Sequence, residues 1–481
     1  MIPAASDVAA SPRVPDEADV VVVGSGPAGC SAARAVAEHA PGTSVLVLEA
    51  GPEVSSPGSN LLNLDPAERN ATYERLARIP ARSAAGGARP GTRLVDPAGG
   101  LPGAKYACNV GGMAAHWTCV CPRPSADERT LAIGAEALDA ALRMAESYLG
   151  VSGDPFSPDP AVTEVRSVLT RAFPDLRHQV RTLPMAAATQ GSSGRLTWNG
   201  IDAILTPVLT RGVRVVARAL ARRLRVVGDE VASVEVFDLE RHRATTVRAG
   251  AVIVAADAFH TPQLLWASGI RPRALGRHLN VHHLATATVR LGRPSGGRFS
   301  ADDRDDIVGA LWIPFDGARH PLHGQVLVLQ SHGRDQAVHL AWYAPQEPDW
   351  DNRVRFDTGG TDAFGLPQPH IHFRGSQDDQ RRRAAALLHV RHAVERFGDC
   401  VAGGEPQLLP PGAAIHYQGT ARMGARDDGT SVCDPDGRVW GVGNLYLAGN
   451  GVIDRATAVN PTLTSAALAI LSGRAAAVTR R

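Results

Sequence analysis

ADVVVVGSGPAGCSAARAVAEH, residues 18–39, is the stretch that decides the fold. Its apolar, β-branched run at residues 20–23 is typical of a buried parallel strand. The small residues at 30–39, which follow a glycine-rich turn, predict a helix. A second apolar segment, SVLVLEAG at residues 44–51, predicts the next strand. This order predicts the start of a dinucleotide-binding α/β domain.

The turn in this stretch contains Gly24-Ser-Gly26-Pro-Ala-Gly29. Gly24 allows a tight turn, Gly26 allows the backbone to approach a pyrophosphate, and Gly29 allows the helix to pack closely on the strand. Unpaired N–H groups at the helix N-terminus also favour phosphate. Glu49 follows 20 residues after Gly29, where an acidic residue is expected to bind ribose hydroxyls and to disfavour a 2′-phosphate. The motif by itself does not distinguish FAD from NAD.

Composition excludes some functional classes. The 481 residues include 50 Lys and Arg and 48 Asp and Glu, a formal net charge of +2, so no broad field favours nucleic acid or a membrane surface. Residues 1–20 lack the pattern of a secretory signal, and no apolar stretch reaches the roughly 18 residues of a membrane span. The six cysteines are sparse for this length and predict free thiols in a cytoplasmic protein.

Two later segments repeat the strand–turn–helix pattern. Residues 252–255 form an apolar run that leads into a helix expected to begin at Pro262. Residues 445–448 form another, and Asn460-Pro461-Thr462 opens a long Ala/Leu helix after a glycine turn. Such turns place backbone N–H groups beside a bound cofactor. The residues expected to line it in the second segment are Gly449, Asn450, Pro461 and Thr462.

The dinucleotide motif, VIVAADAFHTPQLL and DPDGRVWGVGNLYLAGNGVI…NPTLTSAALAI stand in this order at the beginning, middle and end of the chain. With these segments the chain resembles the glucose–methanol–choline (GMC) family of flavoprotein oxidoreductases, in its pyranose oxidase-like branch, which includes bacterial C-glycoside 3-oxidases. The resemblance implies FAD as the cofactor. It implies an α/β fold, with a Rossmann-like FAD-binding domain and an α+β substrate domain built on an antiparallel sheet. Asp257 departs from the pattern, because the family usually has glycine there.

We expect the FAD-binding domain to be discontinuous and the rest of the chain to form the substrate-binding domain. The FAD-binding segments are residues 15–60, 100–150, 200–285 and 435–481. The substrate-binding segments are residues 151–199 and 286–434, where alternating strands such as HLATATVRLG and HIHFRG predict an antiparallel sheet facing the flavin. Residues 61–99 are interpreted as a lid or entry loop, and residues 1–14 as a flexible N-terminus. Trp312, Trp342 and Trp350 are expected to offer surface for stacking on a sugar.

The segment GGMAAHWTCVCPR, residues 111–123, places a His, a Trp, a Thr and two Cys close together. On the residues alone, a buried structural histidine is the simplest interpretation, and a metal site or a disulfide has little support because further ligands and a suitable spacing are lacking. The segment is similar to the pyranose oxidase stretch that passes the flavin ring, where the matching histidine is bonded covalently to the flavin. The resemblance therefore places Gly112, His116 and Thr118 beside the flavin, with Thr118 near its N5 atom. It leaves open whether His116 forms the bond, since Ala114 and Ala115 replace Ser and Thr.

AAIHYQGTARMG places His416 in a stretch very similar to that of the family's catalytic histidine. Its partner in the family, His or Asn, precedes Pro-Thr-Leu, and here that residue is Asn460. A neutral imidazole is the natural base for a hydroxyl proton near pH 7, and an amide can steady the developing alkoxide. Among the other histidines, His260 is expected to pack near the adenosine, while His282 and His283 are interpreted as a feature of the domain junction.

The resemblance implies oxidation of the C2 or C3 carbinol of a pyranose sugar or glycoside, C-glycosides included, by hydride transfer to the flavin. Electrons would pass to O2, giving hydrogen peroxide, or to a quinone. The alternatives are another alcohol oxidase or dehydrogenase of the family, with an aminoglycoside-type substrate for example, and a non-catalytic flavin-binding protein. We expect no nucleic-acid, membrane or metal partner, and a monomer or small homo-oligomer.

Overall fold

The computed structural model describes residues 12–55, 58–77, 92–93, 99–190, 195–292, 306–317, 319–330, 336–362 and 364–479. Its helices are α1 (Pro27–His39), α2 (Pro66–Ala77), α3 (Ala135–Leu149), α4 (Pro160–Ala172), α5 (Asp202–Leu205), α6 (Asp257–Ala267), α7 (Gln377–Phe397) and α8 (Thr462–Val478). Its strands are β1 (Glu17–Val23), β2 (Val45–Leu48), β3 (Thr92–Arg93), β4 (Lys105–Tyr106), β5 (Arg181–Thr182), β6 (Ala187–Gln190), β7 (Arg195–Trp198), β8 (Val213–Val216), β9 (Ala219–Val227), β10 (Glu230–Asp238), β11 (Arg243–Val254), β12 (His283–Leu291), β13 (Asp306–Ile313), β14 (His323–Gln330), β15 (Gln336–Ala344), β16 (Arg353–Thr361), β17 (Pro367–His372), β18 (Gln407–Leu408) and β19 (Leu445–Leu447).

A seven-stranded sheet in the order β8-β2-β1-β11-β10-β9 forms the nucleotide-binding half, with β19 added beside β11. The inner strands β8, β2, β1, β11 and β19 pair in parallel, and their buried apolar runs match the predicted strands. The long strand β11 changes partner along one edge. It pairs antiparallel with β10 in its first half and parallel with β19 at its end. The α/β class with a Rossmann-like sheet is therefore confirmed.

Close packing around α1 depends on glycine. Gly24 has φ +103°, and a Cβ at Gly29 would lie 2.0 Å from the carbonyl oxygen of Gly24. A Cβ at Gly473 of α8 would lie 2.5 Å from the carbonyl oxygen of Ala32 on α1. Neither position has room for a side chain. Helix α1 therefore packs directly on the β1–α1 turn, and α8 packs directly on α1, as the small residues of both segments predict.

A six-stranded antiparallel sheet in the order β18-β12-β15-β14-β13-β5 faces the first sheet across a cavity. Its other face packs on α4 and α7, with Trp342 fully buried in the core between them. The predicted antiparallel sheet is therefore present. The segment HIHF was expected in it, but β17 pairs only with β16 in a separate hairpin.

The middle helix begins earlier than the sequence predicts. Helix α6 starts at Asp257 and contains Pro262 in its interior. The Asp257 Oδ1 atom accepts the backbone N–H groups of Phe259 (2.5 Å) and His260 (3.0 Å), which completes the N-terminus. Pro262 has no N–H for the carbonyl of Ala258, and the Thr420 hydroxyl donates to that carbonyl instead (2.5 Å).

The predictions for the lid segment and the N-terminus fall only partly on described residues, whereas the prediction for the cysteines can be checked in full. The segment expected as a lid contains α2, and residues 78–91 and 94–98 of it lie outside the described residues. Residues 1–11 of the expected flexible N-terminus also lie outside them. All six cysteines are free thiols, as predicted. No helix within the described ranges has the length and apolar character needed to cross a membrane.

Candidate active site

A cavity of about 830 Å³ lies between the two sheets. It runs from the β1–α1 turn and the end of β2 to the inner face of the six-stranded sheet. We call these the nucleotide end and the reaction end. Nearly all of the site residues predicted from sequence line it: Gly24, Gly26, Glu49, Gly112, His116, Thr118, His416, Gly449, Asn450, Asn460, Pro461 and Thr462. Gly29 does not, because its role is packing.

The nucleotide end has the shape and chemistry that a dinucleotide needs. A Cβ at Gly26 would meet no atom within 4 Å, so the backbone at the α1 N-terminus faces open space. A Cβ at Gly112 would lie 3.3 Å from the Cα atom of Gly26, which shows that two glycine backbones face each other there. Exposed N–H groups at a helix N-terminus bind phosphate well. These residues therefore fit the diphosphate of FAD.

Glu49 stands at the end of β2 and is oriented by its neighbours. Its Oε2 atom accepts the backbone N–H (3.1 Å) and hydroxyl (2.7 Å) of Ser25, and its Oε1 atom accepts the N–H of Gly51 (2.8 Å). Burial raises the pKa of the Glu49 carboxyl, while these hydrogen bonds oppose the rise. The carboxyl group is thus fixed at the cavity wall, at the position where a group that binds the ribose hydroxyls is expected.

The backbone at Asp257 has a conformation that favours glycine, the residue that the family usually has at this position. Its φ of +67° lies in the left-handed region that favours glycine. The Asp257 Oδ2 atom lies 2.8 Å from the Nδ1 atom of His260. Burial by itself lowers the pKa of His260, but the charge and hydrogen bond of Asp257, together with the charges of Asp362 and Glu49, outweigh it and raise that pKa above the ordinary value. Asp257 and His260 therefore form an ion pair at the nucleotide end, which sequence reasoning did not identify.

His116 follows a short 3₁₀ helix, Gly112–Ala115, and lines the middle of the cavity. Its Nε2 atom lies 3.0 Å from Asn109 Oδ1, and its Nδ1 atom lies 3.5 Å from the Tyr73 hydroxyl. The amide nitrogen of Asn109 donates to the carbonyls of Val110 and Gly112, so its oxygen accepts from His116. His116 therefore carries its proton on Nε2. Burial lowers its pKa to about 4, so the ring is neutral near pH 7.

Among the other residues of this segment, the two cysteines are structural, and the tryptophan and threonine line the cavity. Cys119 and Cys121 are buried. Trp117 donates its indole N–H to the carbonyl of Asn199 (2.9 Å). Thr118 lines the cavity beside His116. The segment thus presents His116, Trp117 and Thr118 to the cavity and packs its thiols inside.

His416 lies at the reaction end, in the long segment between β18 and β19. Its Nδ1 atom lies 3.0 Å from the Nδ1 atom of His282, and its ring stacks on Tyr343 of β15 with centroids 5.6 Å apart. Burial lowers the pKa of His416 to about 4. An imidazole with this pKa is unprotonated near pH 7, which is the form that a general base requires.

Asn460 precedes α8 at the same end. Its Oδ1 atom is buried, and among the described residues it has no hydrogen bond of good geometry, only a weak side-chain interaction with His323. His323 of β14 lies beside it, and Asn460 moderates the lowering of the His323 pKa, which burial takes to about 3. Burying an amide oxygen without a hydrogen-bond donor costs free energy, so this oxygen is suited to accept a hydrogen bond from a bound molecule.

The aromatic residues expected to contact a sugar do not reach the cavity. Trp342 packs in the core with Phe173, Trp312 is buried, and Trp350 lies against Arg273 and Arg277. The prediction for these tryptophans is therefore wrong, for three different reasons. Strand alternation turns Trp342 to the other side of the sheet, Trp312 is buried beside His323 on the cavity side, and Trp350 lies outside the strands. The aromatic lining is Tyr106, Trp117, Tyr343, Phe364 and Tyr417.

Sequence reasoning also missed two histidines at the reaction end. His282, assigned to the domain junction, contacts His416 directly. His323, which opens β14, lies within reach of Asn460 and Tyr343. The HH pair before an alternating strand was a visible signal for His282, whereas His323 had no motif to indicate it.

The chain matches models described as GMC oxidoreductase over residues 190–284 and 348–469. A model described as lycopene cyclase protein matches residues 19–68, which contain the dinucleotide motif. The chain is 37% identical to the C-glycoside 3-oxidase of Microbacterium trichothecenolyticum, covering 96% of both chains. It is 37% identical to the C-glycoside 3-oxidase of Arthrobacter globiformis, covering 96% of this chain and 95% of that one.

More distant similarities agree. The pyranose 2-oxidase of Tricholoma matsutake is 29% identical, with 95% of this chain and 93% of the relative covered. The crystal structure of pyridoxine 4-oxidase from Mesorbium loti superposes with a TM-score of 0.65 and 18% identity, over 95% of this chain and 99% of that one. This structure supports the fold alone.

Proposed function

Because the chain belongs to the GMC oxidoreductase family, whose members are flavoproteins that bind FAD, we propose that it oxidises a secondary alcohol of a pyranose sugar or glycoside to the keto sugar. The observation that carries this proposal is the reaction end of the cavity. A neutral imidazole, His416, and a buried side-chain amide, Asn460, line the same pocket there. A hydroxyl group that must lose a proton fits such a pair.

FAD would lie along the cavity, with its diphosphate at Gly24, Gly26 and the α1 N-terminus and its ribose at Glu49. Its ring would lie near Thr118 and the backbone of the two C-terminal turns, formed by Gly449, Asn450, Pro461 and Thr462. When bound, the flavin supplies the acceptor for the hydride that leaves the carbinol carbon.

The protein's own groups manage the proton and the position of the substrate. His416 takes the hydroxyl proton, so the carbinol loses one proton and one hydride and its C–O bond becomes a carbonyl. Asn460 contributes an amide N–H for the developing negative oxygen and an Oδ1 atom for a neighbouring hydroxyl. Tyr343 holds the His416 ring by stacking. The two electrons would pass on to O2, giving hydrogen peroxide, or to a quinone.

We propose that the hydroxyl at C3 is oxidised and that glycosides, C-glycosides included, are the preferred substrates. The support is the difference in similarity: 37% identity to two C-glycoside 3-oxidases against 29% to a pyranose 2-oxidase, each over nearly the whole chain. We also propose a cytoplasmic location, because the six cysteines are free thiols, and O2 or a quinone as the electron acceptor.

The deciding experiment is anaerobic reduction of the purified flavoprotein by matched free sugars, O-glycosides and C-glycosides, followed in the visible flavin absorbance. NMR of the product reports the position of the new carbonyl. We expect bleaching with at least one class and a 3-keto product. A flavin that stays oxidised with every sugar overturns the proposal, and a 2-keto product overturns the regiochemistry alone.

We also propose that His116 lies against the flavin ring. Its Nε2–H is held by Asn109, so a covalent bond through Nε2 would require this hydrogen bond to be given up. Acid precipitation tests the bond. Yellow colour in the supernatant indicates FAD held without it, and yellow colour in the pellet indicates a covalent link.

A further inference from the structure

A chain of buried polar groups runs from His416 away from the cavity. The Nδ1 atoms of His416 and His282 are 3.0 Å apart. On the far side of the His282 ring, its Nε2 atom lies 3.0 Å from the amide nitrogen of Gln418 and 3.0 Å from the Thr457 hydroxyl. His282, Gln418 and Thr457 are all at most 2% exposed. The chain is thus separated from solvent and ends at the proposed base.

Two facing Nδ1 atoms form a hydrogen bond only when one of them carries the proton. In the arrangement observed, the Gln418 amide nitrogen donates to Nε2 of His282. His282 therefore holds its proton on Nδ1 and donates it to His416, which then carries its own proton on Nε2. A base needs the opposite: an unprotonated Nε2 facing the cavity, a proton on Nδ1 of His416, and an unprotonated Nδ1 on His282.

Thr457 makes the opposite order available. Its hydroxyl lies 2.9 Å from the nitrogen and 3.2 Å from the oxygen of the Gln418 amide. Turning that amide by half a rotation places its oxygen toward Nε2 of His282, which then donates, while Thr457 still bonds either amide atom. The network therefore has two self-consistent hydrogen-bond orders that differ in the tautomer of both histidines.

We propose that His282 and Gln418 are positioning residues that set the tautomer of His416, with rotation of the Gln418 amide selecting the order in which Nε2 of His416 accepts a proton. This inference rests on the proposed role of His416 as base. In that order, the Nδ1–H of His416 donates to His282, which also stabilises the imidazolium that forms when the substrate proton arrives. The substrate proton stays on Nε2 of His416 in this step, and no other bond changes.

The surroundings favour a change of tautomer over a change of charge. The groups facing the two rings are Tyr343 from β15 and His323 from β14. His283, whose side chain lies on the side of α7, acts on the pKa of His282 through its charge. Among the described residues, no carboxylate contributes to the pKa of either ring. Burial first, and then the neighbouring histidines, lower the pKa of His282 well below its ordinary value. Both rings are therefore neutral near pH 7.

The first test measures protonation and needs no turnover. Ring ¹⁵N chemical shifts of the holoenzyme labelled at histidine report which nitrogen of each ring carries hydrogen. We expect one tautomer for His416 in the wild type and a mixture in H282F and Q418M, which remove the partner and the amide with little change in side-chain volume. An unchanged His416 tautomer in both variants overturns the proposal.

The second test measures the pH dependence of anaerobic flavin reduction. H282F should reduce the rate constant about 10- to 100-fold while FAD stays bound. Its acid limb should move to lower pH, because the His416 imidazolium loses its acceptor and its pKa falls further. H282N, which restores a hydrogen-bonding partner that does not titrate, should recover most of the rate.

H283F is the matched control. His283 is buried and adjacent in sequence, but it faces Arg382, Arg383 and Asp379 on the side of α7. H283F should keep the wild-type rate and pH profile. A loss equal to that of H282F would indicate a merely structural effect and overturn the proposal. If no sugar reduces the wild-type flavin, the proposed function fails, whereas the tautomer measurement still decides the role of His282 separately.

Discussion

The histidines at the two ends of the cavity have pKa values shifted in opposite directions. At the nucleotide end, His260 is paired with Asp257 and its pKa is raised. At the reaction end, His416 and His323 have no carboxylate partner among the described residues, and burial lowers their pKa values to about 4 and about 3. Burial is common to both ends, so the difference comes from the carboxylates near His260, Asp257 first and then Asp362 and Glu49. The nucleotide end can hold charge, and the reaction end keeps its imidazoles neutral and able to accept a proton.

The largest expected effect comes from removing the base at the reaction end. H416A should lower the rate of anaerobic flavin reduction by about 10²- to 10⁴-fold, which is the usual contribution of a general base. FAD content should stay at the wild-type level, because the nucleotide end is unchanged. Stopped-flow absorbance measures the rate, and the ratio of flavin to protein absorbance measures the content. Reduction at the wild-type rate would remove His416 from this role.

A carboxylate placed at the reaction end should erase the contrast between the two ends. N460D keeps the side-chain size but puts a negative charge beside His323 and in the same pocket as His416. The pKa of His416 should rise above about 4, so the acid limb of the reduction profile should move toward neutral pH. The plateau rate should also fall by about 10²- to 10³-fold through the lost amide donor. N460S, which removes the amide without adding charge, is the control and should lower the plateau without moving the limb.

The nucleotide end can be tested with two glycines of one motif. G29A should lower the free energy of unfolding by about 1–3 kcal/mol or prevent folding, since its Cβ would lie 2.0 Å from the carbonyl oxygen of Gly24. G26A should leave the apoprotein's unfolding midpoint nearly unchanged, because its Cβ meets no atom within 4 Å, but should weaken FAD binding by filling the space at the α1 N-terminus. Thermal unfolding of apoprotein and FAD titration separate the two effects. Equal losses of stability would contradict the assignment.

The nucleotide end was the more predictable of the two. Its strand, glycine turn and helix are contiguous in sequence, so residues 20–39 fix the local geometry that places Gly24 and Gly26 at the cavity. The reaction end joins a loop around His416, a segment before β12, two strands and the start of α8. Motifs identified His416 and Asn460. The contact of His282 with His416 joins two segments that are distant in sequence, and no local sequence pattern predicts it.

The errors have a similar physical origin. The strands of the six-stranded sheet were recognisable by alternation, but alternation does not tell which face meets the cavity and which meets α4 and α7. Trp342 was therefore assigned to the wrong face. Trp312 lies on the same face as the cavity-lining Gln325, but its side chain is buried in the core. The early start of α6 was missed because Asp257 caps the helix from a left-handed conformation, which is rare for aspartate.

The smallest expected effect concerns the ion pair at the nucleotide end. D257N keeps an Oδ1 atom to cap α6 but removes the charge that raises the pKa of His260. A raised pKa in the folded state means that the pair contributes stability that is fully present below the unfolded pKa of about 6.5 and is lost as pH rises through the folded value. D257N should therefore be less stable than the wild type at pH 6, by no more than about 1 kcal/mol because both side chains are partly exposed, and the gap should close at higher pH. Urea unfolding at the two pH values measures it, with flavin reduction at the reaction end unchanged. A gap that is the same at both pH values would show that Asp257 acts as a helix cap alone, and the contrast between the two ends would then not depend on its charge.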